Sequence, residues 1–387
     1  MICQPPSEPA GLYVHLPFCA GKCLYCNFRI FRFGPGTAAY LEALRREAET
    51  VAEDEAASWP EFDTVYFGGG TPSLFPPAAI GSLLDCLAAS FHLRPPVEIS
   101  LEANPRDVSI EIARAWQSAG INRVTLGLQT AHQRTLDLTR RPGSPGQART
   151  AMESLRSAGI GNIGIDLIAG LPGETPAQWR ASLRSALALC PDHLSLYLLE
   201  VDADTPLERE IRAGRCSLAP DDDLARFYLE AVATLGQRGL PQYEISNFAR
   251  PGRESRHNLK YWNLAPYLGL GCGAHGFDGR QRRWNDSRLS MYLSSIRSRG
   301  RAVAGTDAAD PRDRAREFAM LALRQTRGLS RREFRRRFAA ELPPAWAGAL
   351  KKYVVRQWVL ADNDRFRLTP RGMLLSNEIL QELFDED

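Results

Sequence analysis

The feature that most constrains this chain is a repeated alternation of short β-rich runs with longer helical patterns. The runs are Leu12–Leu16, Asp63–Gly68, Val97–Glu102, Arg123–Gln129, Ile163–Ala169 and His193–Leu199. Helix-like stretches at 37–57, 77–91, 108–119, 145–158 and 176–189 separate them. The last of these carries its own start signal. Thr175 caps, Pro176 suits the first helical position, and Gln178 completes a capping box. Alternation at this spacing calls for parallel strands joined by right-handed crossovers. Six units predict an α/β chain whose residues 10–205 form a partial (β/α)6 barrel. An open doubly wound sheet is the other architecture the spacing permits.

The alternation stops near residue 205. A helix around 221–238 leads into a stretch rich in aromatics and glycine, Tyr243 to Phe277, within a connecting region at 206–300. Residues 301–387 read as a separate small module. Helical patterns at 311–325, 330–338 and 345–357 precede a strand and turn, FRLTPRG, which is the outline of a winged-helix-like domain. Its Arg-rich run, Arg331 to Arg337, is by default the solvated face of a helix.

Charge and cysteine usage narrow the function. Forty-eight basic and 45 acidic residues leave a net charge of only +3, too little for a general nucleic-acid binder. No 18-residue apolar run predicts a membrane-spanning helix. The first dozen residues lack the basic-then-apolar pattern of a secretory leader, so a cytoplasmic location is expected. Thiols there stay reduced, and a disulfide framework is a poor account of eight cysteines. Five of them, Cys3, Cys86, Cys190, Cys216 and Cys272, are scattered and ordinary by default. The other three, Cys19, Cys23 and Cys26, share one loop after the first strand. Three thiolates suit a [4Fe–4S] cluster with one iron left open to a ligand. The alternative is a zinc site completed by His15.

Other polar groups gather at the same predicted rim. Gly68-Gly69-Gly70-Thr71-Pro72 follows the second strand, where glycines allow close approach of backbone to ligand. No Gly-Lys-Ser/Thr follows, so this is not a P-loop. Glu102, Gln129 and Asp166 end successive strands, and those ends form the functional face of such barrels. Arg141 lies just beyond Gln129, where a guanidinium can pair with a carboxylate. Taken singly, each acid or amide could merely cap the next helix.

The stretch GLYVHLPFCAGKCLYCNF resembles the radical SAM superfamily, marked by a C-x3-C-x2-C loop after the first barrel strand. YFGGGTPSLF, LEANP, NRVTLGLQT, IDLIAGLPGET, HLSLYLLEVDADTPL, YEISNFARPGRESRHNLKYW and LGLGCGAHGF follow in order. Together they resemble the oxygen-independent coproporphyrinogen III oxidase-like family over nearly the whole chain. Within that family the pattern is similar to its heme-chaperone branch. Phe28 stands where the oxidases carry a further cysteine, the N-terminal arm is short, and His257 to Trp262 matches an HNxxYW motif.

The resemblance implies that Cys19, Cys23 and Cys26 bind the cluster. It implies that Tyr13, Tyr25, Gly69, Gly70, Thr71, Glu102, Gln129, Arg141 and Asp166 contact S-adenosylmethionine, whose amino and carboxylate groups chelate the open iron. His257 would take part in heme binding, with Tyr261 and Trp262 covering the macrocycle. By its neighbours alone, a histidine among aromatics is more often a hydrogen-bonded structural residue. Two departures stand out: Asn27 replaces an aspartate, and Thr139 to Gly143 replaces the usual L-G-R-x-H.

The implied function is a heme chaperone that binds heme, cluster and S-adenosylmethionine. It would deliver heme to apo-hemoproteins such as respiratory-chain components, with homodimerisation expected. The enzymatic alternatives are coproporphyrinogen III dehydrogenation, which belongs to porphyrin biosynthesis, and radical methyl transfer. Cys272, where the family often has Pro, stays open as ligand, reactive thiol or filler.

Overall fold

The computed structural model describes residues 8–55, 58–59, 61–203 and 205–385. Cys3, and most of the segment on which the leader argument rests, lie outside the described residues. Six parallel strands form the framework: β1 (Ala10–Leu16), β2 (Phe62–Gly69), β3 (Leu93–Ala103), β4 (Arg123–Gln129), β5 (Asn162–Ala169) and β6 (His193–Leu198). Each pairs with the next in chain order. A doubly wound sheet would reverse its strand order at a switch point. This one does not, and it curves as a partial barrel.

Five further strands extend the sheet to eleven. β7 (Asn247–Ala249) adds antiparallel to β6 at one edge. At the other, β8 (Tyr267–Leu270) lies parallel to β1, and β9 (His275–Phe277), β10 (Arg282–Asn285) and β11 (Val303–Asp307) continue antiparallel from it. The region at 206–300 is therefore less a connector than the source of four of these five strands, and β11 comes from the segment after it. Strands of three to five residues show no readable two-residue period, so the sequence hides them.

The crossover helices start and stop for local reasons. Thr175 accepts from the Gln178 amide and Gln178 reaches back to Thr175, the reciprocal cap expected of Pro176–Ala188. Ser109 caps Ile110–Ser118 on one side only, accepting from the Ile112 amide. Each helix lays an apolar stripe on the outer face of the sheet, against residues such as Leu12, Val14, Val65, Phe67, Leu101 and Val124. The alternate strand positions point the other way and are polar or small: Tyr13 and His15, Tyr66 and Gly68, Ser100 and Glu102, Thr125 and Gly127. Parallel strands buried on both faces usually read as unbroken apolar runs. The polar inner face marks an interior built to meet something other than side chains.

The C-terminal module has a three-stranded antiparallel sheet, Leu329–Ser330, Arg365–Leu368 and Val359–Ala361, against the helices Pro311–Leu323, Arg331–Phe338 and Pro344–Val355. Its core is not its own. Phe318, Leu350 and Leu383 belong to one apolar cluster with Ile165, Trp179, Leu194 and Phe227 of the barrel. In the arginine run, Arg331 and Arg337 lie over the Phe366 and Phe318 rings, and Arg335 pairs with Glu341. Those three groups are engaged within the chain.

Candidate functional site

One cavity of about 380 Å³ opens at the C-terminal rim of the strands. That volume suits a small-molecule or cofactor site. Cys19, Cys23 and Cys26 line it from the loop after β1. A short parallel pair, Phe18–Cys19 with Phe31–Arg32, pins the two ends of that loop together. Thr71 donates its hydroxyl to Cys19 Sγ at 3.3 Å, tying the glycine loop to the cysteine loop. Burial pushes the Cys19 and Cys26 thiols up, so the protein alone does not hold them as thiolates.

The glycine loop approaches because it lacks side chains. Gly69 sits at φ +114° and its amide donates to Glu102 Oε2 at 3.3 Å. A Cβ on Gly70 would lie 2.6 Å from the Phe18 backbone. Any side chain at Gly70 would drive the two loops apart.

Glu102, Gln129, Arg141 and Asp166 face the same space. Tyr66 donates to Glu102 Oε1 at 2.8 Å, and burial raises the Glu102 pKa above the usual carboxylate range. Burial, with Glu102 nearby, lifts Asp166 to about 7. Arg141 donates to the Gly127 carbonyl at 3.0 Å. Gln129 holds φ +67°, a left-handed conformation that a non-glycine residue adopts at a cost, here at the point where β4 breaks register.

The cavity can be tested for fit to a cluster and S-adenosylmethionine. Tyr25 Oη, Gln129 Oε1 and Asp166 Oδ1 are buried and find no hydrogen-bond partner among the described residues. All three residues line the cavity, and such orphans are what a polar ligand would satisfy. Among the described residues no three His, Cys, Asp or Glu side chains converge on a single ion. A lone zinc needs its donors within about 2.3 Å of one point. A cluster instead takes one thiolate per iron and spreads them. His15 is absent from the lining, and its Nδ1 is bonded to Tyr13 Oη at 2.8 Å. The donor set therefore fits a cluster and not zinc completed by His15.

Two expected residues lie elsewhere. Tyr13 is not on the cavity wall. Its ring sits one layer deeper, stacked on Tyr66 at 6.1 Å. His257 is fully buried at the opposite end of the barrel interior. Its Nδ1 meets Thr64 Oγ1 and its Nε2 meets Tyr261 Oη, each at 2.8 Å. Burial and the Lys260 charge hold its pKa down near 3.

Both imidazole nitrogens are thus hydrogen-bonded within the protein. The helix Arg256–Trp262 is a plug. Glu98 accepts from the Arg256 and His257 amides, Asp63 pairs with Arg256 and Lys260, and Tyr261 packs edge-on against Tyr267. The aromatic neighbours that suggested a macrocycle cover pack against His257 itself, with the Tyr261 ring edge-on to it at 5.2 Å. Cys272 is buried and donates its thiol to the Asp286 carbonyl at 3.2 Å.

The structure adds residues the sequence did not single out, notably Tyr197 at the end of β6, Thr125 on β4 and Asn104 after β3. The signal was present. Tyr197 and Thr125 occupy inward positions of the strand alternation that also carries Glu102 and Gln129.

A partial barrel with a three-cysteine loop, a glycine loop and a polar rim defines a radical SAM protein. Residues 13–186 match the model of the Radical SAM superfamily, and residues 309–375 match the HemN C-terminal domain. The solved structure of coproporphyrinogen III oxidase (HemN) from Escherichia coli has the same fold, with a TM-score of 0.85 at 24% identity, covering 98% of this chain and 91% of that one. The heme chaperone HemW of Mycobacterium tuberculosis is 36% identical over 98% of this chain and 95% of its own length. That of Bacillus subtilis is 33% identical over 97% and 99%. The chain belongs to the HemW family.

Proposed function

We propose that this protein is a cytoplasmic heme chaperone that holds a [4Fe–4S] cluster and S-adenosylmethionine in the rim cavity and delivers heme to apo-hemoproteins, such as those of the respiratory chain. The observation that carries the reading is the full-length likeness to heme chaperones, joined to a cavity with three thiols and no fourth. Phe28 occupies the further position and is largely exposed at the cavity mouth.

A bound cluster supplies an electron and an open iron. The chain's own groups do the rest. Cys19, Cys23 and Cys26 would hold the cluster, and Thr71 steadies Cys19. Glu102, the Gly69–Gly70 backbone, Arg141 and Tyr25 would hold S-adenosylmethionine, the acid and amides meeting its amino group, the guanidinium its carboxylate and the phenol ring its adenine. Gln129 and Asp166 would offer their orphaned oxygens to the rest of the ligand.

The test runs on anaerobically reconstituted protein. Hemin is titrated in by absorbance, and a parallel sample receives coproporphyrinogen III, reductant and S-adenosylmethionine. The expected result is stoichiometric hemin binding, no protoporphyrinogen, and loss of iron and sulfide in Cys23→Ala. Protoporphyrinogen formation would make the oxidase reading correct. Methylation of an added heterocyclic intermediate would favour the methyltransferase instead.

A further inference from the structure

The loop that carries the three thiols is pinned at its ends by the Phe18–Cys19 and Phe31–Arg32 pair. Its middle is held by other parts of the chain. The Leu24 amide donates to the Thr139 carbonyl, and the Leu24 carbonyl accepts from the Leu207 amide, each at 2.9 Å. One residue between two of the cysteines is thus bridged through both of its backbone groups. Leu207 stands in the first turn of the helix Pro206–Arg212, which Thr205 caps by accepting from the Glu208 amide at 3.2 Å. The chain that leaves β6 therefore reaches across the rim and grips the cysteine loop.

The grip is local to the rim. Leu24 and Leu207 are buried, yet neither belongs to the two large apolar clusters of the barrel and the C-terminal module. They form part of a satellite of the kind that lies under a long connection. Asn27 adds a side-chain contact, donating its amide to Asp202 Oδ2 at 2.6 Å. The grip so falls on both sides of Cys26, at Leu24 and at Asn27.

The second contact gives a physical sense to asparagine at 27, where the family pattern has aspartate. A carboxylate there would face the Asp202 carboxylate, and like charges at that separation repel. The amide donates instead. The bond also lies at the cavity mouth. Phe28, the next residue, lines the mouth and is 62% exposed. Tyr197 lines the cavity from β6, five residues before Asp202. The Asn27–Asp202 bond therefore ties the β6 wall of the cavity to the loop that bears the thiols.

We propose that Asp202 and Leu207 are positioning residues that latch the cysteine loop over its cluster, through Asn27 and Leu24, and so set how readily a small solute reaches that cluster. The proposal rests on the cluster reading and goes beyond it: residues remote in sequence from the thiols control how long the cluster is kept.

The experiment follows cluster loss by visible absorbance when reconstituted full-length protein is mixed, without oxygen, with an excess of iron chelator. Wild type, Asn27→Asp, Asp202→Asn and the exchange Asn27→Asp/Asp202→Asn are compared. Asn27→Asp sets two carboxylates face to face and should lose its cluster about two- to fivefold faster, the range that an exposed pair supports. Asp202→Asn keeps a neutral acceptor and should fall between that variant and wild type. The exchange swaps donor and acceptor and should return the rate to that of wild type. Melting temperatures of the four unloaded proteins should agree, because both side chains are exposed. A rate unchanged by Asn27→Asp, a failed rescue by the exchange, or rates that merely track the melting temperature would each overturn the latch. If Asn27→Asp takes up no cluster, the exchange variant decides: recovered iron and sulfide support the latch, and their absence overturns it. A wild type that takes up no cluster sinks the cofactor reading and the latch with it, whereas a loaded wild type with a failed rescue sinks the latch alone.

Discussion

At the scale of single residues, position within the barrel outweighs motif. His257 sits in a sequence that invites a heme, yet Thr64 and Tyr261 take both of its nitrogens. Its work is to join β2 to the plug helix. His257→Ala leaves two buried hydroxyls without partners, each costing about 1–3 kcal/mol. The expected outcome is a lowered melting temperature by circular dichroism, with the hemin spectrum of the folded fraction unchanged. A lost imidazole signature at unchanged stability would reverse this assignment. The cysteines behave differently. Their spacing and rim position were legible because short-range spacing in a loop survives any tertiary arrangement. What becomes of His257 depended on Thr64, 193 residues away, and no local pattern records that pairing.

At the scale of elements, the stretch between β6 and β8 joins barrel to module. Glu244 is fully buried there, bridged to Gln325, and accepts from the Ser246 amide at 2.9 Å. Burial lifts its pKa from 4.5 to about 7. A carboxyl raised on folding binds a proton more tightly when folded. Its contribution is fully present below about pH 4.5 and is lost as pH rises through about 7. Glu244→Gln cannot ionise. Relative to wild type, its melting temperature should therefore climb by about 2–5 °C between those limits and level off above. A constant difference across that window would show that Glu244 is charged in the fold.

The six barrel strands were readable because each is long enough to show its alternation and is followed by a helical pattern. β4, for example, runs Arg123–Gln129 as its pattern predicts. β8 to β11 were not, because strands of three to five residues beside glycine turns have too few positions to display a period. Their addition at the open edge of β1 is decided by tertiary pairing.

At the scale of the whole molecule, the barrel and the C-terminal module share one apolar core. The helix Arg331–Phe338 even reaches back to the plug, where Arg337 donates to the Asn263 carbonyl at 2.8 Å. Removing residues 311–387 would strip Phe318, Leu350 and Leu383 from the cluster that covers Trp179 and Phe227. A protein ending at residue 310 should aggregate or bind a hydrophobic dye, as measured by size-exclusion chromatography and dye fluorescence. A monodisperse truncated protein with native circular dichroism would show that the module folds apart.

The most direct measurement is transfer. Reconstituted protein is loaded with hemin, freed of excess, and mixed with membranes from heme-starved bacteria whose respiratory cytochromes lack heme. The account predicts that the chaperone-bound spectrum decays while the cytochrome spectrum rises, faster than with an equal amount of free hemin. Hemin that stays on the protein, or reaches the membranes no faster than free hemin, would contradict it.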